Sequence, residues 1–139
     1  MTSPQLSART AARSARDVAA SDLSPDELAA YEPLLPALLR ELTASEKVRR
    51  IAVHGSELLA FTEERLVAVR RRLFDYRVRW PRYRSIAYRN ITEIRVETNG
   101  ESAKTLVFSL AGQRRVIRFF FPGAEADRIA ALVAACLER

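Results

Sequence analysis

Phe61-Thr-Glu-Glu-Arg-Leu-Val-Ala-Val69 and Ser85-Ile-Ala-Tyr-Arg-Asn-Ile-Thr-Glu-Ile-Arg-Val-Glu-Thr98 are the two stretches on which the reading of this chain turns. Both combine β-branched and aromatic residues with sharp polar turns, the pattern of short antiparallel strands. Such small β-modules bind or assemble more often than they catalyse.

The period-two pattern extends on both sides of these stretches. From Val48, Arg49, Ile51 and Val53 alternate with Arg50, Ala52 and His54 until Gly55-Ser56 marks a turn. Residues 58–62 and 65–70 read as strands joined near Glu63-Glu64, and residues 75–80 set Tyr76, Val78 and Trp80 against Arg77 and Arg79. Thr92, Ile94, Val96 and Thr98 then oppose Glu93, Arg95 and Glu97, and Asn99-Gly100 is a hairpin signal. Leu106, Phe108 and Leu110 make an inward stripe before a turn at Ala111-Gly112. Ile117, Phe119 and Phe121 make the last stripe, and Pro122-Gly123 ends it. Ile129, Leu132, Val133, Cys136 and Leu137 then follow the spacing of one apolar helix face. Antiparallel sheets must hide their edges, and closure with a helix across one end does so. The expected fold is therefore mainly β: a small bent barrel or orthogonal sandwich capped by residues 124–138.

Ahead of the β-region, Ser24-Pro-Asp-Glu27 is a helix start in which Ser24 caps, Pro25 fits the first turn and Glu27 closes a capping box. Leu28, Tyr31, Leu34, Leu35, Leu38, Leu39 and Leu42 keep a helical spacing that Pro33 and Pro36 interrupt. Two short helices or one kinked helix are expected over 25–42, with an apolar face that needs either the β-domain or another subunit. Residues 1–23 are Ser-, Ala- and Arg-rich with few large apolar groups, and read as a mobile tail. Arg9, Arg13 and Arg16 share a helical face, as in a transit peptide or membrane-surface arm, but no bulky apolar residues oppose them. The expected organisation is a tail at 1–23, a helical extension at 24–45 and a β-domain at 46–139.

The 139 residues are 48% hydrophobic, enough for one core, and no apolar run approaches the roughly 20 residues that cross a bilayer. No secretory signal pattern opens the chain, and the single Cys136 excludes an internal disulfide, so a reducing cytoplasmic setting is expected. The net charge of +6 is uneven: −2 over residues 1–47, +6 over 48–99 and +2 over 100–139. Nearly all the cations are arginine, with lysine only at Lys47 and Lys104.

Four blocks carry a family resemblance: 61–66, 85–92 leading into 96–98, Thr105-Leu-Val-Phe-Ser-Leu-Ala-Gly112, and Val116-Ile-Arg-Phe-Phe-Phe-Pro-Gly-Ala124 running into the helix. In order and spacing over 46–137 the chain resembles the bacterial pleckstrin-homology-like (PH-like) domains. The resemblance implies a seven-stranded barrel with a C-terminal capping helix, a non-enzymatic role and homo-oligomers built through strand edges. Ala87 stands where the family usually has proline, the connection at 99–103 is short, and residues 1–45 lie outside the family pattern. The resemblance carries over no ligand residue.

The strongest constellation is Arg70, Arg71, Arg72, Arg77, Arg79, Arg82 and Arg84, a candidate patch for anionic surfaces. Tyr76, Trp80 and Tyr83 interleave with it, as base-stacking residues would. Tyr76 and Trp80 share a face with Val78, however, which favours a core stripe beneath solvated arginines, so nucleic acid ranks last. Eukaryotic relatives of the fold grip phosphoinositides with cations in the first hairpin loop, where this chain has Gly55-Ser-Glu57. His54 has no cysteine nearby and lacks the three or four ligands of a metal site, and Cys136 reads as a small buried hydrophobe. No glycine-rich phosphate loop, nucleophile elbow or metal-ligand spacing occurs, so neither catalysis nor a cofactor or small-molecule substrate is expected. The expected function is protein–protein association, foremost self-association, with Leu34, Leu35, Leu38 and Leu39 as the candidate interface. The alternative is a peripheral adaptor on the anionic inner face of the membrane, using the arginines at 70–84.

Overall fold

A computed structural model describes residues 15–43, 45–70, 82–98, 100 and 103–138. The strand expected at 75–80, with Tyr76, Trp80, Arg77 and Arg79, lies outside the described residues, as do Arg71, Arg72, Asn99 and residues 1–14. The chain divides into two compact units, residues 1–86 and 87–139.

In the first unit, residues 15–22 form helix α1. Here the expectation of a mobile tail is corrected for residues 15–23. Ala15 and Ala19 are buried at 0% and 1% exposure, and Leu23 joins them in the core. Small alanines let a helix backbone approach its neighbours closely, so a segment poor in large side chains is still held. Helix α2 (Pro25–Tyr31) opens with the capping box read from Ser24 and Glu27: Ser24 Oγ accepts the Glu27 amide at 3.1 Å and Glu27 Oε1 accepts the Ser24 amide at 3.0 Å. A 3₁₀ turn, Glu32–Leu34, links it to α3 (Leu35–Glu41). Pro33 and Pro36 fall in the first turns of these two segments, where a missing amide costs nothing. The leucine periodicity therefore survives as two helices.

Strands β1 (Val48–His54), β2 (Glu57–Thr62), β3 (Arg65–Arg70) and β4 (Arg82–Ala87) form a four-stranded sheet in that order. Gly55-Ser56 turns β1 into an antiparallel β2, with Gly55 at φ +58°, a left-handed conformation that glycine adopts without strain. Thr62 builds the β2–β3 turn, its hydroxyl accepting the Glu64 and Arg65 amides at 3.2 and 3.0 Å and donating to the Arg65 carbonyl. Leu34, Leu35, Ala37 and Leu38 pack with Ile51, Leu58, Ala60, Val67 and Val69 in one core cluster. All six residues of β2 are buried, so neither face of this strand is open to solvent.

The second unit begins with a 3₁₀ turn, Tyr88–Asn90, and continues as β5 (Ile91–Thr98), β6 (Ala103–Leu110) and β7 (Ile117–Pro122), a three-stranded antiparallel sheet in sequence order. Helix α4 (Glu125–Leu137) packs on all three strands and on the 3₁₀ turn. Ala126, Ile129 and Val133 are its buried residues, against a sheet whose Leu106, Phe108, Phe119 and Phe121 are 0–3% exposed. Phe108 meets Phe119 edge-on at 6.1 Å and Phe119 stacks on Phe121 at 6.2 Å, so the last stripe is continuous. A fully buried phenylalanine contributes about 2–3 kcal/mol by transfer from water. Cys136 is half-buried, short of the full burial expected.

Seven strands are thus present among the described residues, flanked by N-terminal helices and a C-terminal helix. Their hydrogen bonds form two separate sheets and close no barrel.

Candidate functional site

The described part of the arginine constellation is at the end of the first sheet that carries the Gly55-Ser56 turn. Arg70 ends β3 opposite Glu57, the first residue of β2. Arg70 is exposed, and its Nε donates to Ser56 Oγ at 3.2 Å. Arg84 reaches the same place from β4. Its NH2 and Nε donate to the two carboxylate oxygens of Glu57 at 2.7 and 3.1 Å, a bidentate pair. Glu57 is buried at 8%, and His54 Nδ1 lies 3.6 Å from its Oε1. Tyr31 OH donates to the Gly55 carbonyl, so α2 pins the turn from the helical side. Arg82 opens β4, and its side chain lies outside the described residues.

This geometry changes how the constellation is read. Arg84 balances the buried carboxylate of Glu57, so one of the seven candidate cations is committed to structure. A second arginine, Arg65, is committed more heavily, and no local pattern singled it out. Its guanidinium donates to Glu46 Oε2 at 2.8 Å and Oε1 at 2.5 Å, to the Glu41 carbonyl at 2.6 Å and to Ser85 Oγ at 2.9 Å. It therefore joins the end of α3, the approach to β1, and strands β3 and β4. Burial alone would raise the Glu46 carboxyl. Hydrogen bonds from Arg65 and the Thr43 amide, with the Arg65 charge, outweigh burial and hold it below the usual carboxylate range. The same hydrogen bond with Glu46 raises the Arg65 pKa above its ordinary value.

The leucine candidates are corrected as a free interface. Leu34, Leu35 and Leu38 are 7%, 4% and 0% exposed within the chain's own core, and Leu39 is half-buried against it. Their partner is the β1–β3 face. Among the described residues the exposed large apolar groups are elsewhere: Tyr83 at 42%, Leu137 at 39% and, foremost, Phe120 at 58%. Phe120 lies on β7, the last strand of the second sheet among the described residues, between the exposed Arg118 and Pro122. The three adjacent phenylalanines, Phe119 to Phe121, held the signal: strand alternation must turn one of them outward.

Among the described residues no group of three or more His, Cys, Asp or Glu side chains is placed to hold a metal ion, and no helix is long and apolar enough to cross a membrane.

Solved structures of bacterial proteins resemble this one, and two of them are as follows. A pleckstrin homology domain from Shewanella amazonensis SB2B matches with a TM-score of 0.56 at 19% identity, over 83% of this chain and 98% of that one. A DUF1696 family protein with a pleckstrin-homology domain, from Shewanella loihica PV-4, matches with a TM-score of 0.60 at 20% identity, over 82% and 93%. The chain has the PH-like fold of these bacterial proteins. The matched share exceeds the span 46–137, so the likeness reaches into the helical extension. No protein-family model and no curated protein matches the chain.

Proposed function

We infer that this chain is a non-catalytic PH-like binding module that works by protein–protein association, with a second copy of itself as the leading partner. The observation that carries the reading is Phe120, 58% exposed on β7. Exposed aromatic side chains are frequent anchors of protein–protein interfaces, because they bring a large apolar area with few rotatable bonds. The helical extension is not the contact surface in this reading, because its leucines are spent on the core. The anionic-surface alternative through residues 70–84 is weakened by the Arg84–Glu57 pair.

Light scattering on the eluting protein, over a range of micromolar loading concentrations, tests the reading. Wild type should show mass rising with concentration, and Phe120→Glu should remain a monomer. Equal masses for the two proteins would reject β7 as the interface, and a wild type that stays monomeric throughout would reject self-association.

A further inference from the structure

Helix α1 is fastened to the first sheet by its last turn. Asp22, the final residue of the helix, accepts the Ile51 amide through Oδ2 at 2.9 Å, and its Oδ1 lies 3.8 Å from Arg50 NH1. Nothing in the helix itself calls for an aspartate there. A negative charge in the last turn opposes the helix dipole, and aspartate is a weaker helix former than alanine. Asp22 therefore weakens α1 as a helix, and the partners that hold it are on β1.

The rest of the attachment is slight. Ala15, Ala19 and Leu23 are the buried residues of this segment, and alanine removes little apolar surface from water. Ala19 and Leu23 close over a narrow apolar gap whose other walls include Leu28, Tyr31, Leu35 and Leu58. The body beneath is held independently of α1. Helix α2 has its own capping box at Ser24 and Glu27, and Tyr31 OH donates to the Gly55 carbonyl. The Leu23 amide still belongs to α1, on the Ala19 carbonyl at 3.0 Å, whereas Ser24 is the cap of α2. The break between the two helices falls between Leu23 and Ser24.

We propose that α1 is a lid that opens as a unit about the Leu23–Ser24 link, with Asp22 as its latch on β1. The occupant of the gap is the lid itself, through Ala19 and Leu23. Opening bares Leu28, Tyr31, Leu35 and Leu58 while α2, α3 and the sheet stay folded, so the chain holds an apolar surface that is shown only when the latch is released. The device is separate from Phe120 and from the association proposed above.

The test uses the full chain at constant pH: wild type, Asp22→Ala, and Asp17→Ala, which removes an exposed carboxylate from the same helix. Native-state amide hydrogen exchange reads the opening. In wild type the amides of residues 20–23 and of Ile51 should exchange through a shared opening at least about tenfold more populated than the one that frees α3 and β2. Asp22→Ala should speed these lid amides by a further factor of about ten, the loss of a hydrogen bond to a charged acceptor, and leave α3 and β2 within about twofold. Asp17→Ala should not speed them. The sign decides the matter. Were Asp22 only a helix residue, Asp22→Ala would slow exchange in α1, because it removes an unfavourable charge and supplies a better helix former. Slower or unchanged exchange therefore overturns the latch, as does equal acceleration by Asp17→Ala. Equal acceleration in α3 and β2 overturns the lid as a separate unit. Anilinonaphthalene sulfonate fluorescence should rise with Asp22→Ala alone, and no rise in a variant whose α1 amides have been freed would overturn the uncovering of the gap.

Discussion

Replacing Arg65 with methionine breaks the polar joint between the extension and the first sheet while keeping most of the aliphatic stem. Four hydrogen bonds go with the guanidinium, two of them to the Glu46 carboxylate. Glu46 is 5% exposed and would retain the Thr43 amide at 3.0 Å. Stranding one member of a buried pair costs about 3–5 kcal/mol. Arg65 keeps 23% exposure, which places the expected loss at the lower end, about 3 kcal/mol. At about 3–4 °C per kcal/mol for a chain of this size, the thermal midpoint should fall by about 10 °C. Urea denaturation of Arg65→Met, Glu46→Gln and the double variant should return a coupling of about 2 kcal/mol. The pH dependence follows from the direction of the Glu46 shift. A carboxyl held below its unfolded value keeps its charge in the folded chain after the unfolded chain has taken up a proton. The stability it contributes is present above the unfolded pKa and is lost as pH falls through the lowered folded pKa. Glu46→Gln should flatten that part of the profile. A loss under about 1 kcal/mol with no coupling is the behaviour of a solvated surface pair. It would show that Arg65 does not fasten the extension.

Other outcomes follow from single contacts. Leu38→Ala should cost about 2–5 kcal/mol by urea unfolding and leave the oligomeric mass unchanged, because Leu38 is a core residue of the first unit. Ile129→Ala should cost a similar amount and raise hydrogen exchange across α4 and β6, since Ile129 is fully buried in the second unit. Gly55→Ala should lose about 1 kcal/mol through its φ of +58° alone, because no atom lies within 4 Å of the added methyl. Glu57→Gln should cost about 1–2 kcal/mol, since Arg84 keeps 41% exposure and can turn to water.

Local features were legible where chemistry acts over a few residues. The Ser24–Glu27 capping box, the Gly55 turn, the helix face at Ile129 and Val133, and the inward Phe119 and Phe121 all appear where spacing puts them. Helix α1 was missed because its burial depends on small residues: Ala15 and Ala19 give no strong hydrophobic pattern, yet both are buried. The leucines of α3 read as an interface because periodicity reports that a face is apolar and not what covers it. The Arg65–Glu46 and Arg84–Glu57 pairs join residues 19 and 27 apart in sequence, and only strand register brings them together. The arginine-rich segment drew attention by density, and density does not reveal that Arg84 is paired with Glu57. Phe120 was hidden between two core neighbours.

Amide hydrogen exchange at β7, followed as protein concentration rises, reports on that strand itself. If copies associate through it, the amides of residues 117–121 should slow with concentration while those of β5 stay constant, and Phe120→Glu should abolish the change. Exchange at β7 that is the same in dilute and concentrated protein would mean that this strand meets no second copy, and the association reading would have to be abandoned.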